Sequence, residues 1–529
     1  MKKLALPFLA AVVTTVVSLI CAYQIGSLKG MAGVVPDAVD TQNRAIALSI
    51  SRDIYGFKGY IGHREVLNAL IDSGMTQLTV PLSNQKRIYP DNVRDGALMD
   101  SAIEAALSLG SLPAGSFNDR TLICGEYDDL GLTDYYSLAF KTFGYNIAAP
   151  FRFYFLLLGL SALLFAFSFR HSKMSMVFLS TWSFALALVI SSVYFDEIGL
   201  ATVHNQRFLS TLAFLPFVHI ALEISANRAI SRWNLFSLIL QTILLFFAWT
   251  IRQSVNWAII SIFLIIGIAA YQRKNSWWYQ PNFREKLKFF LKWPITIFCV
   301  IFILVTSLRP IFYDRVYKLE DVLPHRMAWH SAFLGLAVHP QWGMTEATKE
   351  FKGVSGDTIG IKQDLIYTSQ MLGRNVEESF LISPLTATYK FGRHEKIMRL
   401  SYLKFLAENP GYSLELHLIW KPKRLLEIFS DFRSSKGTEK LLSVSFLILA
   451  LMIIAIIKSP MGSDKNSSSY MSNELNRVLI LGFPISLLPA LWAFPSKTTA
   501  SEQLLYFFTI SLLCGVLFIK MSLKHAAKK

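Results

Sequence analysis

Four groups of residues have the types and spacing for acid–base or phosphate chemistry, and each stands close to a long apolar run. The first is Glu126, Asp128 and Asp129 in the stretch Gly125-Glu126-Tyr127-Asp128-Asp129-Leu130-Gly131. A carboxylate here can take the proton of an attacking hydroxyl. The same acidic turn ahead of an amphipathic segment is also ordinary helix-capping chemistry. The second is Asp196-Glu197, which follows an apolar run and precedes His204, Asn205 and Arg207. Paired carboxylates can divide the work of a base from that of orienting a substrate or a metal. The third is Arg252, with Gln253 and Asn256, in a very short turn between two apolar runs. A guanidinium fork suits phosphate, and the competing reading is an arginine reaching to lipid headgroups. The fourth contains His325, Arg326, His330 and His339, then Gly356-Asp357 and Arg393-His394-Glu395. No HExxH or related spacing joins these histidines, which speaks against zinc. Hydrogen bonding or stacking on a sugar or diphosphate fits them better.

The elements that must hold these groups are membrane helices. The chain has 529 residues, of which 53% are hydrophobic and only 17% charged; the mean hydropathy is +0.40. That composition excludes an ordinary soluble protein and a disordered one. Apolar runs near 4–23, 153–169, 176–194, 208–224, 235–251, 255–271, 293–308, 441–457, 478–494 and 504–519 predict about ten transmembrane helices, each nearly uncharged as a spanning helix requires. The first run follows Met1-Lys2-Lys3 and lacks a clear small-residue cleavage site, so it reads as a retained span rather than a signal peptide. The domain plan is a first span at 1–24, a loop at 25–150 ending in a juxtamembrane helix, a six-helix core at 151–308, a second segment at 309–440, and three spans with a basic tail at 441–529. The loop at 25–150 predicts helices over Gln42 to Ile54 and Asp95 to Leu109, interrupted around Gly56, Gly59 and Gly62.

The net charge of +16 is explained by the positive-inside rule rather than by nucleic acid. Arg170, Lys173, Arg228, Arg232, the run Arg273 to Lys292, Lys458, Lys465, Arg477 and the final lysines all fall on one side of a ten-span chain, while the alternate short loops hold only Arg207, Arg252 and Lys497. Both termini are therefore expected in the cytoplasm, both long segments outside it, and the protein in the cytoplasmic (inner) membrane. Lys274 to Lys292 carries Trp277, Trp278 and Tyr279 among its cations and reads as an interfacial helix on the inner surface. Four cysteines offer no disulfide or CxxC pattern. There is no Walker A motif, no G-x-S-x-G elbow and no kinase signature. The spans hold almost no charge apart from Glu223, which counts against a secondary transporter.

Together these features resemble the GT-C class of membrane glycosyltransferases, which use polyprenyl-phosphate sugars. The resemblance rests on a span leading into an outward loop that ends Asp128-Asp129-Leu130-Gly131-Leu132-Thr133-Asp134-Tyr135-Tyr136-Ser137-Leu138-Ala139-Phe140, on the second outward loop with Asp196-Glu197, and on the late stretch Glu395 to Pro410 running into cations ahead of a span. It covers the membrane core and that late stretch, through short and degenerate motifs. The chain departs from the class in its long first loop, whose prominent acids lie near its end; Asp37 and Asp40 occupy the earlier position. The resemblance implies an α-helical, polytopic, GT-C-like fold with two mainly helical extracytoplasmic segments. It implies inverting transfer of a sugar from a lipid-linked donor to a glycan, lipid or protein acceptor. Asp128 or Asp129 would be the base, Asp196 or Glu197 would orient the acceptor or a divalent cation (Mg or Mn, held by Asp129 and Asp196), and Arg252 and Arg207 would hold the departing phosphate. His204, His325, Arg326, His330 and Arg393 are the remaining expected substrate contacts. The competing expectations are a polysaccharide polymerase or ligase that works through the Arg and His residues of the second segment, and a non-enzymatic transporter or scaffold of envelope assembly.

Overall fold

The computed structural model describes residues 2–28, 39–72, 96–109, 122–124, 130–193, 206–226, 231–272, 284, 293–312, 328–382 and 390–433, with 475, 478–479, 481–488, 491–492, 505–506, 508–513 and 515–516. The fold is predominantly helical. Among the described residues, four helices are long and apolar enough to cross a membrane: Leu6–Ser27, Ala149–Ser168, Lys173–Ile190 and Arg232–Ile251. Ser210–Ser225, Asn256–Ala269 and Pro294–Leu308 are apolar but shorter. The expected span at 441–457 lies outside the described residues, as does the inner-surface helix at 274–292 apart from Arg284, and the spans at 478–494 and 504–519 are described only in part.

Within the membrane core, α1 (Lys2–Leu28) packs along α6 (Ala149–Ser168) and α7 (Lys173–Val193). Tyr23 meets the rings of Phe151 and Phe155 at 5.0 and 5.4 Å. The helix at 206–226 starts as Gln206–Leu209, tightens into a 3-10 turn at Ser210–Ala213, and continues as Phe214–Ala226. α10 (Arg232–Ile251) begins at a Ser231 cap that accepts the Asn234 N–H at 3.2 Å. Polar side chains are paired inside the bundle: Ser161 donates to Gln241 Oε1 at 2.8 Å, Gln241 Nε2 donates back to the Ser161 carbonyl at 2.8 Å, and Asn234 Nδ2 donates to Glu223 at 3.1 Å. In hydrocarbon an unmade hydrogen bond has no water to replace it, so such pairs join helices.

Residues 39–72, 96–109 and 122–124 form a small folded unit. α2 (Val39–Asp53) leads to a clip in which β1 (Ile61–His63) pairs antiparallel with β2 (Leu122–Cys124), Ile61 opposite Cys124. The chain between them supplies α3 (Arg64–Asp72) and α4 (Gly96–Leu107). The clip returns the end of the loop to its beginning. α5 (Gly131–Phe143) then carries the chain to α6 through Gly144, whose φ of 84° is a left-handed conformation that costs glycine nothing. α5 buries Leu132, Tyr135, Tyr136, Ala139 and Phe140; the Tyr135 hydroxyl donates to the Pro150 carbonyl at 2.5 Å, tying the juxtamembrane helix to the top of α6.

Residues 328–382 and 390–433 have their own core around Phe333, Leu336, Ile359, Ile397, Met398, Tyr402 and Leu416. Its elements are α13 (Ala328–Leu334), α14 (Thr358–Leu372), α15 (Phe391–Glu408) and a stretch from Pro410 to Arg433 interrupted by a π turn at Leu416–Trp420.

Candidate functional sites

Two centres are built by the described residues. The first lies where α5 meets the end of α10. Gly131 packs so closely on Thr250 that a Cβ there would stand 2.5 Å from both the Thr250 carbonyl oxygen and Oγ1. Two residues later the chain leaves α10 at Arg252, half-buried and extended, with its N–H on the Ala248 carbonyl at 2.9 Å. Asn256 accepts from Trp249 Nε1 at 2.7 Å across the same turn. Arg309 donates to the Thr250 carbonyl at 3.4 Å, so a second guanidinium reaches the turn from another helix end.

The outer side of α5 is clamped by charge. Asp134 accepts from Arg52 Nη1 at 2.6 Å and from the Tyr60 hydroxyl at 2.7 Å. Tyr60 has a φ of 64°, unusual for a residue with a side chain. Burial first, and the Asp134 carboxylate second, push its phenol up, so it remains a proton donor. Asp53, at the end of α2, is bound by Ser137 and by Lys141 Nζ, the latter at 3.0 Å. Burial opposes its ionisation, but those two partners and Arg52 outweigh it and hold the carboxyl below its ordinary range.

Of the residues singled out in the sequence, Arg252 belongs to this centre. Asp128, Asp129, Asp196, Glu197 and His204 lie outside the described residues, as do Asp37, His325 and Arg326; Arg207 and Asp40 are described in backbone only. The flanks of the 126–129 stretch are nevertheless fixed, by the paired strand ending at Cys124 and by buried Leu130. Arg52, Tyr60, Asp134 and Arg309 were not anticipated. The only local hint was the interruption at Gly56, Gly59 and Gly62, which brackets Tyr60, since the pairings cross some 80 residues.

The second centre is a chain of hydrogen bonds within residues 328–382 and 390–433. Asp364 on α14 meets His394 Nδ1 on α15 at 3.1 Å, with both side chains only 2% exposed. His394 Nε2 meets His330 Nδ1 at 2.8 Å, and His330 Nε2 meets Asp357 at 3.3 Å. Burial lowers the His394 pKa, so this ring sits neutral. The tautomers that serve the buried Asp364 carboxylate are then assigned from the hydrogen bonding. His394 donates from Nδ1 to the Asp364 carboxylate and accepts at Nε2 from His330 Nδ1–H. His330 Nε2, 3.3 Å from Asp357, then presents its lone pair at the end of the chain. His330 is thus a base oriented by a second histidine and a buried acid. The rings leave no room beside Gly360, where a Cβ would fall 2.8 Å from His330 Cε1 and Nδ1.

Arg393 points into this assembly, donating to Thr368 Oγ1 at 2.7 Å and lying 5.3 Å over the Phe380 ring. Glu395 accepts the backbone N–H groups of Trp329 and His330 at 2.5 and 2.9 Å. Burial outweighs those bonds and raises its carboxyl to about 7. A carboxyl raised on folding binds more protons in the native state. It therefore contributes stability that is full below about 4.5 and is lost as pH rises through about 7. Glu395→Gln is expected to flatten the fall in stability over that window, as read from melting temperature against pH. An unchanged slope would mean that Glu395 titrates normally.

Among the described residues no group of three or more His, Cys, Asp or Glu side chains is placed to hold a metal ion. The two carboxylates expected to do so, Asp129 and Asp196, lie outside that set. No protein-family model, curated protein or solved structure matches the chain.

Proposed function

We propose that this protein is a ten-span, GT-C-like glycosyltransferase of the cytoplasmic membrane, moving a sugar from a polyprenyl-phosphate donor to a glycan, lipid or protein acceptor at the outer face. The observation that carries this reading is the close packing of Gly131 on Thr250. It brings the start of α5, two residues after Asp129 in the chain, to the turn that bears Arg252 and receives Arg309. Two residues of chain reach at most ~7 Å, which supports placing an acid and a phosphate-binding cation on one membrane face. In the proposed reaction the acceptor hydroxyl gives its proton to Asp129 or Asp128, and its oxygen bonds to the anomeric carbon. The bond from that carbon to phosphate breaks, and polyprenyl phosphate leaves with the electron pair, its charge met by Arg252 and Arg207. Arg309 is a further cation at the same turn. Asp196 and Glu197 orient the acceptor; with Asp129 they are the residues that would hold Mg or Mn. Both termini are cytoplasmic in this reading, and nucleic acid has no role.

The test replaces Asp128, Asp129 and Asp196 by Asn and Glu197 by Gln, one at a time, and follows glycan assembly with the protein still in the membrane. Loss of assembly in at least one of the first pair is expected, by about 100-fold or more for a catalytic base. Normal assembly in all four would overturn the proposal.

The Asp364–His394–His330 chain favours a second reading: a polysaccharide polymerase or ligase acting on diphosphate-linked oligosaccharide, with His330 as base. That reading predicts loss confined to changes at His330, Arg326 or Arg393, with the four acidic variants active.

A further inference from the structure

The stretch from Pro410 to Arg433 leaves four large apolar side chains in the open: Leu414, Leu418, Ile419 and Leu426 are 62, 72, 53 and 67% exposed. They are not scattered. In an uninterrupted α-helix Leu414 and Leu426, twelve residues apart, would diverge by ~120°. The π turn at Leu416–Trp420 lies wholly between them and takes up one residue, which leaves them ~20° apart. The same correction aligns the buried side, where Leu416 and Ile428 are also twelve apart and both fully buried. The π turn thus keeps one apolar face outward and one inward from Leu414 to Ile428.

The inward face is fastened to residue 492 in the apolar run at 478–494. Lys421 Nζ donates to the Trp492 carbonyl at 2.8 Å, and Trp492 Nε1 donates to the Ala328 carbonyl at 3.3 Å. The Trp492 ring packs on Trp329 and Tyr402 at 5.2 and 5.4 Å. Tryptophan and tyrosine grouped at the end of an apolar run mark the depth of the lipid headgroups. The outward rim carries Lys423, 5.1 Å over the Trp420 ring, and Arg424, paired with Glu427 at 3.1 Å. Apolar side chains flanked by such cations match an anionic bilayer surface.

We propose that Pro410–Arg433 lies in the plane of one leaflet, with Leu414, Leu418, Ile419 and Leu426 immersed beside the acyl chains and Lys423 at the level of lipid phosphate. This holds whichever chemistry the protein performs. The stretch also places the His330 centre, which adjoins Trp329, at headgroup depth, where the polar end of a lipid-linked molecule would be met.

The test uses the full-length protein in vesicles of phosphatidylcholine alone and with phosphatidylglycerol, its four native cysteines replaced. Single cysteines at 414, 418, 419 and 426, and at Glu408 and Glu427 as controls, carry a spin label whose collisions with oxygen and with a water-soluble nickel chelate are compared. Oxygen should dominate at the four apolar positions by several-fold, and the chelate at the two controls. Adding phosphatidylglycerol should deepen the apolar positions, an effect diminished by Lys423→Gln. Chelate access at the apolar positions would place the stretch in water. Protection from both reagents would place a second copy or another protein there. Either result overturns the proposal, and neither depends on transfer activity.

Discussion

Gly131→Val is expected to be among the most damaging single changes in the molecule. A valine there would meet the Thr250 backbone at a distance no side chain tolerates, and neither partner can retreat. Thr250 is held by its own hydroxyl on the Phe247 carbonyl at 2.8 Å and by Arg309 on its carbonyl. α5 is held by Asp134 on Arg52 and Tyr60, by Ser137 on Asp53 and by Tyr135 on Pro150. Overpacking at such a site costs about 1–3 kcal/mol, and relief can come only by lifting the start of α5 off the Arg252 turn. The melting temperature in detergent should fall by several degrees. If the turn and the acids before α5 form one site, transfer should fall by about 100-fold, the usual penalty of an ångström of misplacement. Gly131→Ala sharpens the point. In an open helix that change stabilises by up to about 1 kcal/mol; here it should destabilise. A more stable Gly131→Ala would show that α5 and α10 are not in contact.

Asp364→Ala carries the second large effect. It removes the carboxylate that receives His394 Nδ1–H in a pocket where both side chains are almost fully enclosed. A buried donor deprived of its acceptor costs ~1–3 kcal/mol, to which the cavity adds. The loss should appear as earlier protease cleavage and melting of α13 to α15. Asp364→Asn separates structure from chemistry, because its amide oxygen can still accept from Nδ1–H while the charge is gone. Under the polymerase reading, Asp364→Asn should keep its stability and lose turnover, with a shifted pH profile. Under the glycosyltransferase reading based on the first-loop acids, it should keep both.

The apolar helices, four of them long enough to cross a membrane, and the helix at 131–143 were legible in the sequence, for a physical reason. A helix in lipid must satisfy its backbone internally and shed charge, so its limits are written as apolar runs; Trp293–Leu308 occupies the predicted 293–308. The helix over Gly131–Phe143 was marked by the aromatic and apolar positions of its buried face. The sites were less legible. Arg252 stood out because a cation is costly between two apolar runs, and His330 and Arg393 because they sit among aromatics. Asp364 carries no local mark: its partner is 30 residues away, and along α14 it reads as one more polar surface position. Asp134 stood unremarked within the stretch Asp128 to Phe140, whereas its work is to hold two side chains more than 70 residues earlier. The β1–β2 clip was hidden because three residues a side fall below any periodic signal.

The central claim is sugar transfer from a polyprenyl phosphate at the face shared by the first-loop acids and Arg252. It is tested most directly by purified protein in liposomes supplied with a radiolabelled polyprenyl-phosphate sugar and an extract of cell-envelope acceptors. Wild type should move label into acceptor and release polyprenyl phosphate. The Asp128→Asn/Asp129→Asn double variant, inserted to the same level, should fail to do so, and His330→Gln should retain the activity. Equal transfer by wild type and the double variant, with loss in His330→Gln, would contradict the account.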